Sequence, residues 1–213
     1  MNTSSRYTAF EEQLHALTHG IGALLSIVAL LLMLKLSISH ADNWHIFSSI
    51  IYGSSLILLY SSSALYHSIH QPRIKYRLRQ LDHAAIFILI AGTYTPFTLI
   101  SLRNDWGLYL FGLIWLIAII GVLLELVTGL KYKKISLALY LGLGWIVVVA
   151  IKPMLANVNS TAMWLLLAGG LSYSGGVLFY TWKSLYLHHV IWHLFVLGGS
   201  VLHFLAIYCY VLN

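Results

Sequence analysis

Four polar residues at the ends of very apolar stretches are the chemistry-bearing feature of this sequence. His67 ends one apolar stretch, Asp82 begins the next, and His189 and His193 open the last one. An ionisable group inside a membrane-spanning segment costs about 2.5–3.5 kcal/mol even on a lenient scale, so each needs a partner or a purpose. Because imidazole and carboxylate are common zinc ligands, these residues raise the hypothesis of a metal site within a membrane domain.

The two histidines of the last stretch have the spacing of a metal-binding pair. His189 and His193 are four residues apart, so on a helix they lie on one face and can bind the same ion. His67 adds a third imidazole, and three neutral imidazoles leave an open tetrahedral position for water, as in catalytic zinc sites. Three histidines without a cysteine favour Zn²⁺ over other first-row ions. The alternative for each histidine taken singly is an interfacial side chain bonded to a carbonyl or a lipid head group.

Asp82 and Ser63 are the candidate catalytic residues beside this metal. Asp82 could orient a ligand imidazole, hydrogen-bond to metal-bound water, or act as the general base. Ser63 lies four residues before His67 on the same helical face, so its hydroxyl can point at the same centre. The alternative for Ser63 is a hydrogen bond to a carbonyl of its own helix. His203 lies ten residues after His193, roughly 15 Å along a helix, and cannot share the ion.

The elements that must position these residues are membrane-spanning helices. The chain has 213 residues, of which 60% are hydrophobic and 8% charged, against about 25% charged in a soluble domain. A crossing needs about 20 apolar residues, so the length fits one polytopic domain over residues 1–213 without a soluble catalytic domain. The sequence predicts an all-α, seven-helix integral membrane protein. Its predicted spans are 17–36, 46–66, 83–102, 107–127, 135–154, 162–182 and 190–211.

The basic residues predict the orientation of these spans. Nine fall on the side that holds the N-terminus and three, Lys35, Arg103 and Lys152, on the other. The positive-inside rule therefore places the N-terminus in the cytoplasm and the C-terminus outside. Topology explains the net charge of +6, so membrane lipids rather than nucleic acid are the predicted partners. The nine residues are Arg6, Arg73, Lys75, Arg77, Arg79, Lys131, Lys133, Lys134 and Lys183.

Five short segments make the chain resemble the haemolysin III family, the bacterial branch of the progestin and adiponectin receptor superfamily. The resemblance covers nearly the whole length. It departs from the family pattern at His15, where many relatives carry Asn shortly before the Thr-His-Gly triplet. The matching segments are Thr18–Gly20 (THG), Ser63–His67 (SALYH), Leu81–His83 (LDH), Ala91–Phe97 (AGTYTPF) and His189–His193 (HVIWH).

The resemblance implies a seven-helix protein of the bacterial plasma membrane with its N-terminus inside. It also implies zinc held by His67, His189 and His193, with Asp82 and Ser63 in the surrounding polar shell. The related alkaline ceramidases use such a centre to hydrolyse a lipid amide, so the resemblance points to hydrolase chemistry on a lipid amide or ester.

Several other functions compete with a zinc-dependent lipid hydrolase. The main alternative is a non-enzymatic sensor or regulator of membrane lipid state, in which zinc is structural. A pore-forming cytolysin is disfavoured, because a secreted pore former must first be soluble. A transporter or proton channel is disfavoured because ionisable residues do not continue across the bilayer. The seventh span lacks the lysine that a retinal Schiff base requires.

Overall fold

The computed structural model describes residues 7–40, 42–104 and 106–213, and in these ranges the chain is built from helices. Seven of the described helices are long and apolar enough to cross a membrane, which confirms the predicted all-α fold. Arg6, one of the cations used to predict orientation, lies outside the described residues. The helices are α1 (Ala9–Ser39), α2 (Asn43–Ser68), α3 (Pro72–Ser101), α4 (Gly107–Thr128), α5 (Lys133–Asn157), α6 (Ser160–Thr181) and α7 (His188–Tyr210).

Helix α1 begins eight residues before its predicted span, because Thr8 and Glu11 form a capping box. The Thr8 side chain accepts a hydrogen bond from the Glu11 backbone N–H, and the Glu11 carboxylate accepts one from the Thr8 backbone N–H. These two bonds satisfy amide groups that the first helical turn otherwise leaves unpaired. Residues 9–16, which come before the first predicted span, are therefore helical, and the side chains of Glu12 and His15 are buried in the bundle.

Helix α3 also begins early, at Pro72 rather than at residue 83. Proline suits the first helical position, because its missing N–H would have no intrahelical partner there. Most of the stretch between the predicted spans 46–66 and 83–102 therefore belongs to the first turns of α3, which bring Lys75 to Glu12 of α1. At its other end α3 passes at Pro96 into a π-helical turn over Phe97–Ser101.

Helix α5 is interrupted in its middle. An α-helix over Lys133–Gly144 is followed by a 3-10 turn over Ile146–Ala150 and a short α-helix over Ile151–Asn157. Tyr94 of α3 repairs the break: its hydroxyl donates to the Gly144 carbonyl at 2.6 Å and accepts from the Val147 N–H at 3.2 Å. Backbone groups freed inside a membrane must be satisfied by protein in this way.

The helices pack so that the first turns of α1 and α7 meet the end of α2. Helix α1 contacts both α2 and α7, while α6 packs closely on α7. Gly199 of α7 allows α6 and α7 to approach closely, since a Cβ at this position would lie 2.8 Å from the Tyr173 ring of α6. We call the side of the bundle where α1, α3, α5 and α7 begin the N-terminal end. It is the end that carries the candidate site.

Candidate metal centre

Five histidines from three helices meet at the N-terminal end of the bundle. We call them the histidine cluster. His15, His67 and His193 are at most 1% exposed and His19 is 4% exposed, while His189 is partly buried. Such burial demands internal partners for the ring nitrogens, because each unpaired buried polar group costs about 1–3 kcal/mol. The cluster consists of His15 and His19 from α1, His67 from α2, and His189 and His193 from α7.

The three histidines predicted as metal ligands lie together. His67, His189 and His193 each offer a ring nitrogen within 4.8 Å of those of the other two, so the group could hold a metal ion. The His67 Nε2 and the His189 Nδ1 are buried and have no hydrogen-bond partner among the described residues. These nitrogens suit a tetrahedral ion at about 2.0–2.1 Å. The grouping is observed, and the ligand roles and the identity of the metal stay predictions.

Two hydrogen bonds fix which nitrogen of His67 and His193 can face an ion. The Nδ1 of His67 lies 2.6 Å from a carboxylate oxygen of Glu12, and the other carboxylate oxygen pairs with Lys75 at 3.1 Å. A carboxylate accepts a hydrogen bond from Nδ1–H, which leaves the lone pair on Nε2. This carboxylate–histidine pairing is typical of metal sites, where it orients the ring and raises its basicity.

Thr18 plays the corresponding role for His193. Its hydroxyl lies 3.1 Å from the His193 Nδ1 and 2.9 Å from the Leu14 carbonyl. Because a hydroxyl has one proton, which the carbonyl must receive, we assign the Nδ1–H of His193 as the donor to Thr18. The Nε2 of His193 therefore carries the lone pair.

The sequence analysis missed the contribution of α1. Glu12, His15 and His19 are all buried, and Glu12, His15 and His67 form a second group whose possible ligand atoms lie within 4.8 Å of one another. The spacing was a usable signal, since residues at i, i+3 and i+7 share one face of a helix. Hydropathy hides this signal, because the residues around Glu12 are polar and do not mark a membrane span.

Asp82 and Ser63 lie near the histidines without joining either ligand group. Ser63 lies beside the Asp82 carboxyl. Both residues line a cavity that also reaches His189 and His193. The structure thus places Asp82 and Ser63 on the wall of a cavity that two of the predicted ligands also line, and their catalytic roles stay predictions.

The cavity runs from these polar groups into the apolar interior between α3, α5, α6 and α7. Its volume is about 580 Å³, within the usual range for a site that binds one small ligand. His203 also lines it, with its Nε2 3.2 Å from the Leu166 carbonyl. The cavity therefore has a polar end with hydroxyl, carboxyl and imidazole groups, and apolar walls that could contact a hydrocarbon chain. The apolar walls include Ile86, Leu137, Val148, Met154, Trp164 and Leu167.

Comparison with known proteins places the chain in a family. The haemolysin-III-related family matches residues 7–204. The chain is 45% identical to "Hemolysin-3" of Bacillus cereus over 210 residues, covering 98% of this chain and 96% of that protein. It is 42% identical to "Hemolysin-3 homolog" of Bacillus subtilis, with 96% of both chains covered. A more distant relative is "Monocyte to macrophage differentiation factor" of Homo sapiens, 28% identical over 96% of this chain and 86% of that one. Together, the seven apolar helices and these matches show that the chain is a multi-pass membrane protein of the haemolysin-III-related family, within the progestin and adiponectin receptor superfamily.

Proposed function

We propose that this protein is a zinc-dependent membrane hydrolase that cleaves an amide or ester bond of a lipid. The observation that carries the proposal is the cavity, whose apolar walls end at Ser63, Asp82, His189 and His193. A purely structural metal site needs no such space beside it. A cavity with apolar walls and a few convergent polar groups is what a substrate with one reactive polar bond and a hydrocarbon chain requires.

The residues around the cavity divide the work of hydrolysis between them. A zinc ion held by His67, His189 and His193 would lower the pKa of water and polarise the substrate carbonyl. Asp82 is placed to accept the proton of the attacking water and to return it to the leaving amine or alcohol. Ser63, which lies beside Asp82, would hold its carboxyl in position. Glu12 and Thr18 keep His67 and His193 in the tautomers that face the ion.

We also propose that the N-terminal end of the bundle faces the cytoplasm, because the basic residues of α3 and of the α4–α5 and α6–α7 connections all lie there. Such an excess of Lys and Arg is typical of the cytoplasmic side. The lipid bond would then be cleaved near the cytoplasmic leaflet, with the hydrocarbon chain pointing towards the membrane centre.

Turnover of lipid amides and esters by the purified, zinc-loaded protein tests the proposal. Asp82→Asn removes the proton acceptor and should lower kcat by about 10²–10⁴ while zinc stays bound. Asp42→Asn is the matched control, because Asp42 caps α2 and Asn is an equally good cap; its activity should be unchanged. Absence of turnover across a broad panel, with folded and zinc-loaded protein, would refute the hydrolase.

A second candidate function is a non-enzymatic regulator of lipid state in which the metal ties α1, α2 and α7 together. The observation that favours it is a further buried imidazole, His15, beside the three candidate ligands. A closed site is typical of structural zinc. In that case chelation should lower thermal stability, and the same panel should show no hydrolysis at any zinc concentration.

A further inference from the structure

Four imidazoles of the histidine cluster form a nearly regular tetrahedron. The ring centres of His15, His67, His189 and His193 are separated by 4.5 to 5.4 Å over all six pairs. Four imidazoles that share one tetrahedral zinc ion, with bonds of about 2.0–2.1 Å, have ring centres about 5 Å apart. The ring centres of the three proposed ligands occupy three corners of this figure, and the ring centre of His15 occupies the fourth. A ring nitrogen of His15 lies within 4.8 Å of the ligand atoms of Glu12 and His67, while the group formed by His67, His189 and His193 does not include it. The His15 ring therefore has to turn to bind the common ion.

The ring nitrogens of His15 also lack a partner that would explain its burial. The residue is 0% exposed, and neither of its ring nitrogens has a hydrogen-bond partner within the described ranges of the chain. Leaving such a group unpaired is costly, by about 1–3 kcal/mol. Its edge-on contact with Tyr7, at 4.8 Å between ring centres, uses the ring but no nitrogen lone pair. Aromatic packing therefore does not explain why a histidine occupies this position.

His19 does not fit the fourth corner, although it too is buried and belongs to α1. Its ring stacks on the His193 ring at 3.5 Å and 12° between planes. Two ligands of one tetrahedral ion cannot lie face to face at that distance, because their nitrogens must diverge from the metal. His19 thus lies behind His193 rather than around the common centre, and it provides a natural control for His15.

We propose that His15 is a fourth protein ligand, so that the resting centre is a closed site of four imidazoles. The inference rests on the proposed ligands His67, His189 and His193, but it does not depend on turnover. It adds α1 to the helices that the ion joins. It also assigns His15 a regulatory position, because this side chain would occupy the coordination position that the proposed hydrolase needs for water.

X-ray absorption at the zinc edge of the full-length, zinc-loaded protein tests the inference. The wild type should show the outer-shell scattering of four imidazoles, His15→Ala that of three imidazoles together with one oxygen ligand, and His19→Ala that of four. The apparent zinc affinity should fall by about tenfold or more in His15→Ala and by less in His19→Ala. His15→Asn serves as a second variant if alanine disturbs folding. The wild-type spectrum alone also tests the inference, because it counts the imidazole ligands directly.

Azide added to the cobalt(II)-loaded protein gives an independent measurement. The visible spectrum should be unchanged in the wild type, where the fourth position is filled, and should shift in His15→Ala. Three imidazoles in the wild type, together with a wild-type azide response equal to that of His15→Ala, would overturn the inference while leaving the proposed metal site intact. A wild type that binds no zinc or cobalt would overturn both.

Discussion

Two polar regions of the bundle lie along the same helix, α7, and differ in whether their groups are paired. The first is the histidine cluster at the start of α7. The second lies two to three turns further on, where Tyr60, Tyr173 and Ser200 form what we call the tyrosine–serine network. Tyr60 donates to the Ser200 hydroxyl at 2.7 Å, and the Tyr173 hydroxyl lies 2.7 Å from the same oxygen. These three hydroxyls satisfy one another without any ligand.

Unlike the network, the histidine cluster contains buried polar atoms that lack a hydrogen-bond partner. Both nitrogens of His15 and of His19, the Nε2 of His67 and the Nδ1 of His189 are buried without a partner among the residues that the structure describes. Buried polar groups in native proteins are nearly always paired, so groups left unpaired call for a ligand. Buried polar side chains therefore do not mark a functional site unless some of their polar atoms lack a partner. The network links helices to one another, whereas the cluster could hold a metal ion.

The largest expected effect is on stability when metal is removed from the cluster. An ion that binds only the folded protein adds about 4 kcal/mol when present at a thousand times its dissociation constant. A chelator should therefore lower the Tm of the wild type by roughly 2–4 °C for each kcal/mol lost. Thermal unfolding in detergent, with and without chelator, measures the shift.

The network provides the control for this experiment. Tyr173→Phe alters the network alone, so its Tm should fall on chelation by as much as that of the wild type. His193→Ala should not respond to the chelator. Equal responses in wild type and His193→Ala would show that the stabilising ion lies elsewhere.

A smaller effect is expected for Glu12→Gln, which weakens the carboxylate support of His67 without removing a candidate ligand. Loss of such a partner typically lowers metal affinity by about 10–100-fold. Competition with a chromogenic chelator measures the affinity. Glu11→Gln is the matched control, because glutamine can still complete the capping box with Thr8. Equal zinc affinities in the two variants would remove Glu12 from the site.

The smallest effect is expected in the network. Tyr60→Phe removes one buried hydrogen bond to Ser200 and should lower the free energy of unfolding by about 1 kcal/mol. Metal content should not change. Tyr109→Phe, on a side chain that is 82% exposed, should leave the Tm unchanged. A loss of bound metal in Tyr60→Phe would mean that the network and the histidine cluster are energetically coupled.

Much of the fold was predictable, because long apolar runs leave a membrane helix few alternatives. The seven helices contain nearly all of the predicted spans. The grouping of His67 with His189 and His193 was also predictable, since helix spacing and the alternation of crossings bring these residues to one end. These inferences use only hydropathy, helix periodicity and topology, which are written directly in the sequence.

The parts that escaped prediction are those where hydropathy gives no signal. The first turns of α1 and α3 are polar or charged, so a search for apolar runs begins too late and misses Glu12, His15 and Lys75. The break in α5 was hidden for the opposite reason, because residues 145–150 are uniformly apolar. The β-branched residues in this stretch have only a weak preference for helix. The hydrogen bonds of the Tyr94 hydroxyl to the Gly144 carbonyl and the Val147 N–H, which satisfy backbone groups at the break, are visible only in the structure.

Metal analysis of the purified protein tests the central claim, that the histidine cluster binds a metal ion, most directly. After exposure to zinc and removal of the excess, the wild type and Tyr173→Phe should each retain about one zinc ion per chain, the stoichiometry of a mononuclear site. His67→Ala and His193→Ala, confirmed as folded, should retain almost none. Zinc that stays at the wild-type level in both histidine variants would contradict the account.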